Sequence, residues 1–314
     1  MTAPRVSVVI PCYNAAATLP RALASVAAQA VEGLELVLVD DNSQDGTPGI
    51  LAAAEAGGAK VVRLPGRSGA AAARNAGVAA AGGTYVAFLD ADDEWLPGKL
   101  AAQLALLEAD PAMTFASCGC RFRGPAGEDW GLLYDGYAPA SGRQAWRTLL
   151  AYNFVATPSV VARRAVLRDV GGFDRTLPIG EDQDLWLRLA LAGPVGYVDK
   201  PLLVVHAQAR SLSTEYQDRV LDIGLLLLRR HAWPNRRRLG PRGLAFVLGH
   251  RFTKLGRNAI AHRPWVGAGL LLAASLLGRE PLTNLLYLAQ SLPPGRWLKR
   301  VLRGQGLVAS QAAR

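Results

Sequence analysis

Residues 84–95 run Thr-Tyr-Val-Ala-Phe-Leu-Asp-Ala-Asp-Asp-Glu-Trp, an uncharged apolar run that ends in three crowded carboxylates, Asp90, Asp92 and Asp93. Neighbouring carboxylates repel and raise one another's pKa unless positive charge sits between them. A hard divalent cation would supply that charge, since Mg²⁺-type sites commonly combine one or two carboxylates with substrate phosphates. The same residues would also serve as a solvated acidic turn capping the next helix. An isolated Asp-Ala-Asp-Asp does not separate the two readings. A second acidic group, Glu181-Asp182-Gln183-Asp184, opens a helical pattern. One acid there would satisfy the helix dipole, and the chain supplies three.

The elements around these groups follow from periodicity. Residues 6–10, 34–39, 60–64 and 84–89 are short apolar runs rich in β-branched residues, and each reads as a strand, the first ended by Pro11. Helical spacing is expected over 15–30, 50–56 and 70–81. Strands alternating with helices argue for a mostly parallel sheet covered on both faces. Ligands in such sheets sit beyond the carboxyl ends of the strands. Tyr13 and Asn14 follow the first strand, Asp40 to Ser43 the second, and the Asp90 group the fourth, three polar placements on one rim. Further on, 96–108 reads as helix, 113–123 as strand and 124–142 as loop. A short helix is expected over 143–150, a strand over 157–163, a brief helix to Val170, a helix from Glu181 and a strand over 196–205.

The chain has 314 residues, half of them hydrophobic, enough for one large domain, or for one domain with an appendage. Residues 1–5 lead into a strand pattern rather than a signal peptide, and Cys12, Cys118 and Cys120 form no disulfide framework or zinc spacing. The expected setting is therefore cytoplasmic. The net charge of +10 is segregated: residues 219–314 carry 17 Lys and Arg against 2 acids, and residues 1–218 carry 18 against 23. Such asymmetry speaks of partners rather than of fold.

Six stretches now carry a resemblance in the right order: Val-Ser-Val-Val-Ile-Pro-Cys-Tyr-Asn at 6–14, Leu-Val-Asp-Asp-Asn-Ser-Gln-Asp-Gly-Thr at 38–47, Ala-Arg-Asn-Ala-Gly at 73–77, Phe-Leu-Asp-Ala-Asp-Asp at 88–93, Gly-Phe-Asp at 172–174, and Glu181-Asp182. Together they resemble the family 2 glycosyltransferases over about residues 5–213. The resemblance implies an α/β GT-A fold, a three-layer α/β/α sandwich that binds a nucleotide-diphosphate sugar, over 1–213. A basic helical C-terminal region would occupy 214–314.

The resemblance also implies an inverting transfer of a sugar to a hydroxyl acceptor in cell-surface glycan synthesis. Pro11, Tyr13, Asn14, Asp40, Asn42, Ser43, Arg74, Asp90 and Ala91 would bind the nucleotide. Tyr13 offers a flat face to a base, Asp40 accepts from a base N–H or a ribose, and Arg74 is a fixed positive charge. A UDP-sugar is the first candidate donor. Asp92, with Asp90, would hold Mn²⁺ or Mg²⁺, which neutralises the departing diphosphate. Asp182 would be the base that takes the acceptor's proton, with Glu181 orienting it. Trp186, one turn along, would stack on a sugar or belong to the core. His206, Arg210 and Ser213 follow the last strand, with Val205-His206 standing where Tyr-Arg is commoner in the family. His206 would complete a metal shell, touch phosphate or sit as a satisfied buried histidine. A non-catalytic nucleotide-sugar binder using the same pocket is the alternative from another class.

The tail lies outside the resemblance. Residues 265–278 and 281–295 are uncharged but each shorter than the ~20 residues of a membrane-spanning helix. They read as two short amphipathic helices in a basic region suited to an anionic membrane surface at the inner face of the cell membrane, and to a glycan or lipid-linked acceptor, with an oligomer interface or packing on the body as the alternatives. Nucleic acid is not an expected partner, since the tail is rich in leucine and lacks a recognisable binding module.

Overall fold

Val6–Cys12, β1, stands near the middle of a nine-stranded mixed sheet. The computed structural model describes residues 4–208 and 219–291, so Arg210 and Ser213 lie outside the described residues. β2 (Leu34–Asp40), β3 (Lys60–Arg63) and β4 (Tyr85–Phe88) run parallel with β1 in the order β3-β2-β1-β4. The crossovers are α1 (Leu19–Ala27), α2 (Thr47–Ala56) and α3 (Ala70–Ala80). β1 does not stop at Pro11 as expected. β4 pairs only with Val6 to Val9, so at Pro11 the strand has a single neighbour, β2, and a missing N–H breaks no ladder on the open side.

Alternate residues of β1 face two helical layers. Val8 and Ile10 pack in one core with Leu19 of α1 and with Leu100 and Leu104 of α4 (Lys99–Ala109). Val9 points the other way, against α3. Gly77 makes that approach feasible, because a Cβ there would stand 2.3 Å from Val9 Cγ1. A burial of this kind contributes about 2 kcal/mol per leucine or valine.

The second half of the sheet is mixed. The order continues from β4 through β8 (Val161–Arg163), β6 (Phe115–Arg123), β9 (Val195–His206) and β5 (Glu94–Trp95), with β7 (Asp129–Leu132) on β6. β8 is antiparallel to both neighbours, β6 and β9 are parallel, and β5 is antiparallel to β9. The expected strand over 157–163 is half realised, because Thr157–Ser159 is a 3₁₀ turn around Pro158. The 124–142 stretch contains β7. α5 (Ala145–Ala151), α6 (Arg164–Asp169) and α7 (Glu181–Ala192) complete this part.

The chain divides into two compact units, one carrying the sheet and one carrying the C-terminal helices together with Leu150–Tyr152. The second unit holds α8 (Val220–Leu227), a π-helical turn (Leu228–Ala232), α9 (Arg236–Ala259), α10 (Pro264–Leu276) and α11 (Pro281–Ser291). α9 is broken at Gly240, φ 66° and ψ 175°, directly before Pro241. Among the described residues no helix is long and apolar enough to cross a membrane.

Candidate active site

Because β1, β2 and β4 are parallel, their carboxyl ends share one rim, and the turns that follow are laced together. The Asn14 N–H donates to Ser43 Oγ at 3.1 Å, and the Gln44 N–H donates to Asn14 Oδ1 at 2.8 Å. Asn14 (φ 48°) and Asn42 (φ 65°) occupy the left-handed region, where Asn is among the least strained residues. The Gln44 side-chain amide donates to the Asn42 carbonyl at 3.2 Å. Buried Asp40 accepts the Ser43 N–H at 3.0 Å, while Pro11 pairs with Val39 one step inside the rim. Asp41 instead holds the turn that leads into α3, accepting the Ser68 and Gly69 N–H groups at 2.6 and 2.9 Å. Tyr13 is 39% exposed, and the Arg67 guanidinium carbon stands 4.3 Å over its ring.

Arg74 is the hub. Its Nη2 donates to Asp90 Oδ1 at 2.8 Å and its Nη1 to Glu181 Oε1 at 3.1 Å. One guanidinium therefore joins the turn after β4 to the first turn of α7. Burial alone would lower its pKa, but Asp90 and Glu181 outweigh that and raise it, so Arg74 stays charged. The neighbouring Asn75 fixes the same junction. Its Nδ2 donates to the Phe173 carbonyl and its Oδ1 accepts the Phe173 N–H, each at 2.8 Å. The Gly172 turn is built around that clamp: its φ is +67°, and a Cβ would meet Asn75 Oδ1 at 2.5 Å.

The three acids of α7 divide their work. Glu181 pairs with Arg74, and Asp184 pairs with Arg188 at 2.8 Å. Arg188 in turn donates to the Val170 and Gly172 carbonyls, holding the turn before α7. Asp182 has no ion pair among the described residues, and its Oδ1 accepts the Gln183 N–H that follows it, at 2.6 Å. Burial raises the Asp182 pKa, with the Gln183 N–H and Arg74 opposing. Glu181 is pushed up to about 7 by burial and by Asp182, with Arg74 opposing. Trp186 is core: fully buried, with ring centroids 5.7, 5.8 and 6.1 Å from Phe115, Phe173 and Phe88. Stacking on a sugar is excluded by that burial.

The acidic turn is crowded as its spacing implied. Asp92 is pushed up to about 6 by burial and by Asp90, and Asp93 is raised well above its usual range by burial, Asp92 and Asp90. Ala91 between them is buried. Asp93 Oδ1 accepts the His206 N–H at 3.0 Å, which ties the end of β9 to this turn. His206 Nε2 lies 3.3 Å from Glu94 Oε1. Burial and Arg21 hold the imidazole below its usual pKa, against the pull of Glu94. Arg21 on α1 donates to the Asp92 carbonyl. The sequence reading gives it no role, although it is the only charge in residues 15–30. Arg67, Asn75 and Glu94 were likewise not given roles.

Does this turn suit a divalent cation? Burial and mutual repulsion raise the Asp92 and Asp93 carboxyls, which a cation would relieve, and carboxylate oxygens are the donors a hard cation takes. Among the described residues no three His, Cys, Asp or Glu side chains gather closely enough to hold a metal by themselves. The donor set fits a cation that completes its shell with diphosphate oxygens or water.

Parallel strands whose rim carries a basic hub between two carboxylate groups, on a mixed nine-stranded sheet, define a GT-A glycosyltransferase fold. The chain belongs to Glycosyl transferase family 2, whose profile matches residues 7–171. The succinoglycan biosynthesis protein ExoO of Rhizobium meliloti is 29% identical over 268 residues, covering 82% of this chain and 75% of that protein. Residues 1–349 of S. aureus TarS, solved with UDP-GlcNAc, superpose with a TM-score of 0.68 at 18% identity, over 94% of this chain and 92% of that one. The mannosyltransferase PcManGT of Pyrobaculum calidifontis, solved with GDP-Man and Mn²⁺, gives 0.59 at 23% identity, over 96% and 84%.

Proposed function

We propose that this glycosyltransferase moves a sugar from a nucleotide-diphosphate donor to a hydroxyl acceptor with inversion, in the synthesis of a surface glycan. The reading rests on Arg74, which holds Asp90 and Glu181 together, with Asp182 next in the chain and within the electrostatic reach of Arg74 and Asp90. Tyr13 and Asp40 take the nucleobase, Asp90 the ribose, and Asn14, Asn42 and Ser43 shape the wall. Pro11 and Ala91 let the ligand approach closely.

Asp92, with Asp90, would hold a divalent cation, and His206 stands on the same turn. The cation would neutralise charge on the departing diphosphate. Asp182 takes the acceptor's proton as the hydroxyl attacks from the face opposite the leaving group. Burial supports this role, since a raised pKa makes a carboxylate a stronger base. Glu181, anchored by Arg74, keeps Asp182 oriented.

The names of similar proteins support glycan synthesis: ExoO is a succinoglycan biosynthesis protein. TarS was solved with a uridine nucleotide and PcManGT with a guanosine one, so a UDP-sugar remains the first donor to test. The acceptor proposed is a glycan or lipid-linked hydroxyl, reached from the cytoplasm.

Thermal shift with nucleoside diphosphates, with and without Mn²⁺, tests the donor site through mass action. Asp182→Asn is expected to keep that shift and lose transfer at least ~100-fold. Asp92→Ala is expected to weaken the cation-dependent part of the shift. Full transfer by Asp182→Asn would remove the assigned base. Binding without transfer in the wild type, to any acceptor tried, would favour a binding protein instead.

A further inference from the structure

The outward faces of α10 and α11 are apolar. In α10, Trp265, Gly269, Leu272 and Leu276 recur at one helical face and all are exposed, Trp265 by 76% and Leu276 by 89%. In α11, Leu282 and Leu286 are 76% and 63% exposed. The inward face of α10 carries the small residues instead: Gly267, Ala268 and Ala274, with Leu271, are buried. The reason is the close approach to α9. A Cβ on Gly267 would stand 2.8 Å from the Gly256 carbonyl oxygen and 2.7 Å from the Ile260 nitrogen. Small residues are therefore spent inside and the large apolar ones are left outside, the reverse of a water-facing amphipathic helix.

The surroundings say what meets this face. Residues 219–291 hold twelve Lys and Arg against Asp222 and Glu280 alone. Arg263 and Arg279, at the two ends of α10, are part-exposed and pair with Asp222 and Glu280, so the net positive charge comes from the other Lys and Arg of the region. A second copy would bring the same positive charge against itself, which disfavours a self-interface. An anionic bilayer offers both an apolar layer and the opposite charge. With 13 and 11 residues, the two helices are too short to cross it. Tryptophan at an apolar–polar boundary is typical of such depth.

We propose that α10 and α11 lie in the plane of an anionic lipid surface, with Trp265, Leu276 and Leu282 inserted among the acyl chains. Extended beyond the transfer reading, this binding needs no sugar donor, so the two stand or fall separately. The test uses the full chain in flotation with vesicles of phosphatidylcholine, with and without phosphatidylglycerol. The comparison is a variant carrying Leu276→Glu and Leu282→Glu. Both positions are exposed, so the variant is expected to unfold at the wild-type temperature.

Wild type should float with the phosphatidylglycerol vesicles and far less with phosphatidylcholine alone, and the variant should lose at least ~10-fold in bound fraction. Trp emission should shift to the blue on adding anionic vesicles, and less so in Trp265→Phe. Unchanged flotation of the double variant overturns the proposal. So does a concentration-dependent wild-type dimer that the variant splits, which would assign the face to a second copy. A lowered unfolding temperature in the variant with vesicle binding intact also overturns it, by assigning the face to the chain's own residues 292–314.

Discussion

Arg74 Nη1 meets Glu181 Oε1 at 3.1 Å although 107 positions of chain separate them. The same guanidinium holds Asp90, so the turn after β4 and the first turn of α7 are tied to each other. A lysine could not replace it, since one ammonium head lacks the planar fork that reaches two carboxylates in fixed directions. Arg74→Lys is expected to cut transfer by at least ~100-fold and Arg74→Ala to cost about 3–5 kcal/mol of stability, because Asp90 and Glu181 would be left without their buried countercharge. Steady-state kinetics and urea unfolding of both variants check this. An Arg74→Lys enzyme of wild-type rate would show that positioning through the guanidinium is unimportant.

Asn75 and Gly172 make a second, independent test of the same junction. Asn75→Ala removes both hydrogen bonds to Phe173 and is expected to cost about 1–3 kcal/mol. Gly172→Ala adds a Cβ against Asn75 Oδ1 and demands φ +67° of an L-residue. The double variant keeps the backbone strain but loses the clash, so its loss should be smaller than the two single losses added. Additive losses, measured as unfolding free energies, would mean that the Cβ and the amide do not meet.

How much of this was legible in the sequence depends on range. The β1, β2 and β4 strands and the polar turns behind them are local, and alternation with helices gave their parallel order. The expectation that Pro11 ends β1 failed because the lost N–H matters only where a neighbouring strand is present, which a local reading does not know. β5 is two residues long, too short for any periodicity, yet it places Glu94 and His206 side by side. The Arg74–Glu181 and Asn75–Phe173 bonds likewise leave only an oddity in the sequence, polar residues inside an alanine-rich helix. In the tail, two apolar helices were readable. Which face they would turn outward was not, because that is set by Gly256 and Gly267 meeting across α9 and α10.

Lys99 carries a consequence for stability. It is fully buried at the start of α4, its Nζ has no hydrogen-bond partner among the described residues, and it stands 4.2 Å from the centre of the Trp95 ring. Burial pushes its pKa down to about 8 from 10.5, against the pull of Cys118 and Cys120. The folded value is below the unfolded one, so between those two values the unfolded chain binds more protons and stability rises with pH. Below pH 8 the whole penalty is present. Lys99→Met keeps the unbranched stem and removes the amine. It is expected to gain about 2 kcal/mol at pH 7, after allowance for the lost cation–π contact, with the gain shrinking toward zero above pH 10.5. Unfolding free energies of both proteins from pH 7 to 10.5 decide it, and a constant difference across that range would show that the amine is not the cause.

Arg67 bears on nucleotide choice. Its guanidinium covers one face of Tyr13 at 4.3 Å, too close for a base to slide between them, so a base stacking on Tyr13 must use the other face or displace Arg67. In the first case Arg67 braces the ring, and Arg67→Ala should weaken nucleoside diphosphate binding by about 3-fold to 10-fold, the worth of roughly 1 kcal/mol of cation–π support. In the second case the arginine opposes binding, and its removal should tighten it. The exposed, half-open position of Tyr13 favours bracing, because a free ring at a strand end would lose side-chain entropy on stacking that a held ring has already lost. Isothermal titration of wild type and Arg67→Ala with UDP and with GDP measures the sign directly, and tighter binding in the variant would reverse the role assigned to Arg67.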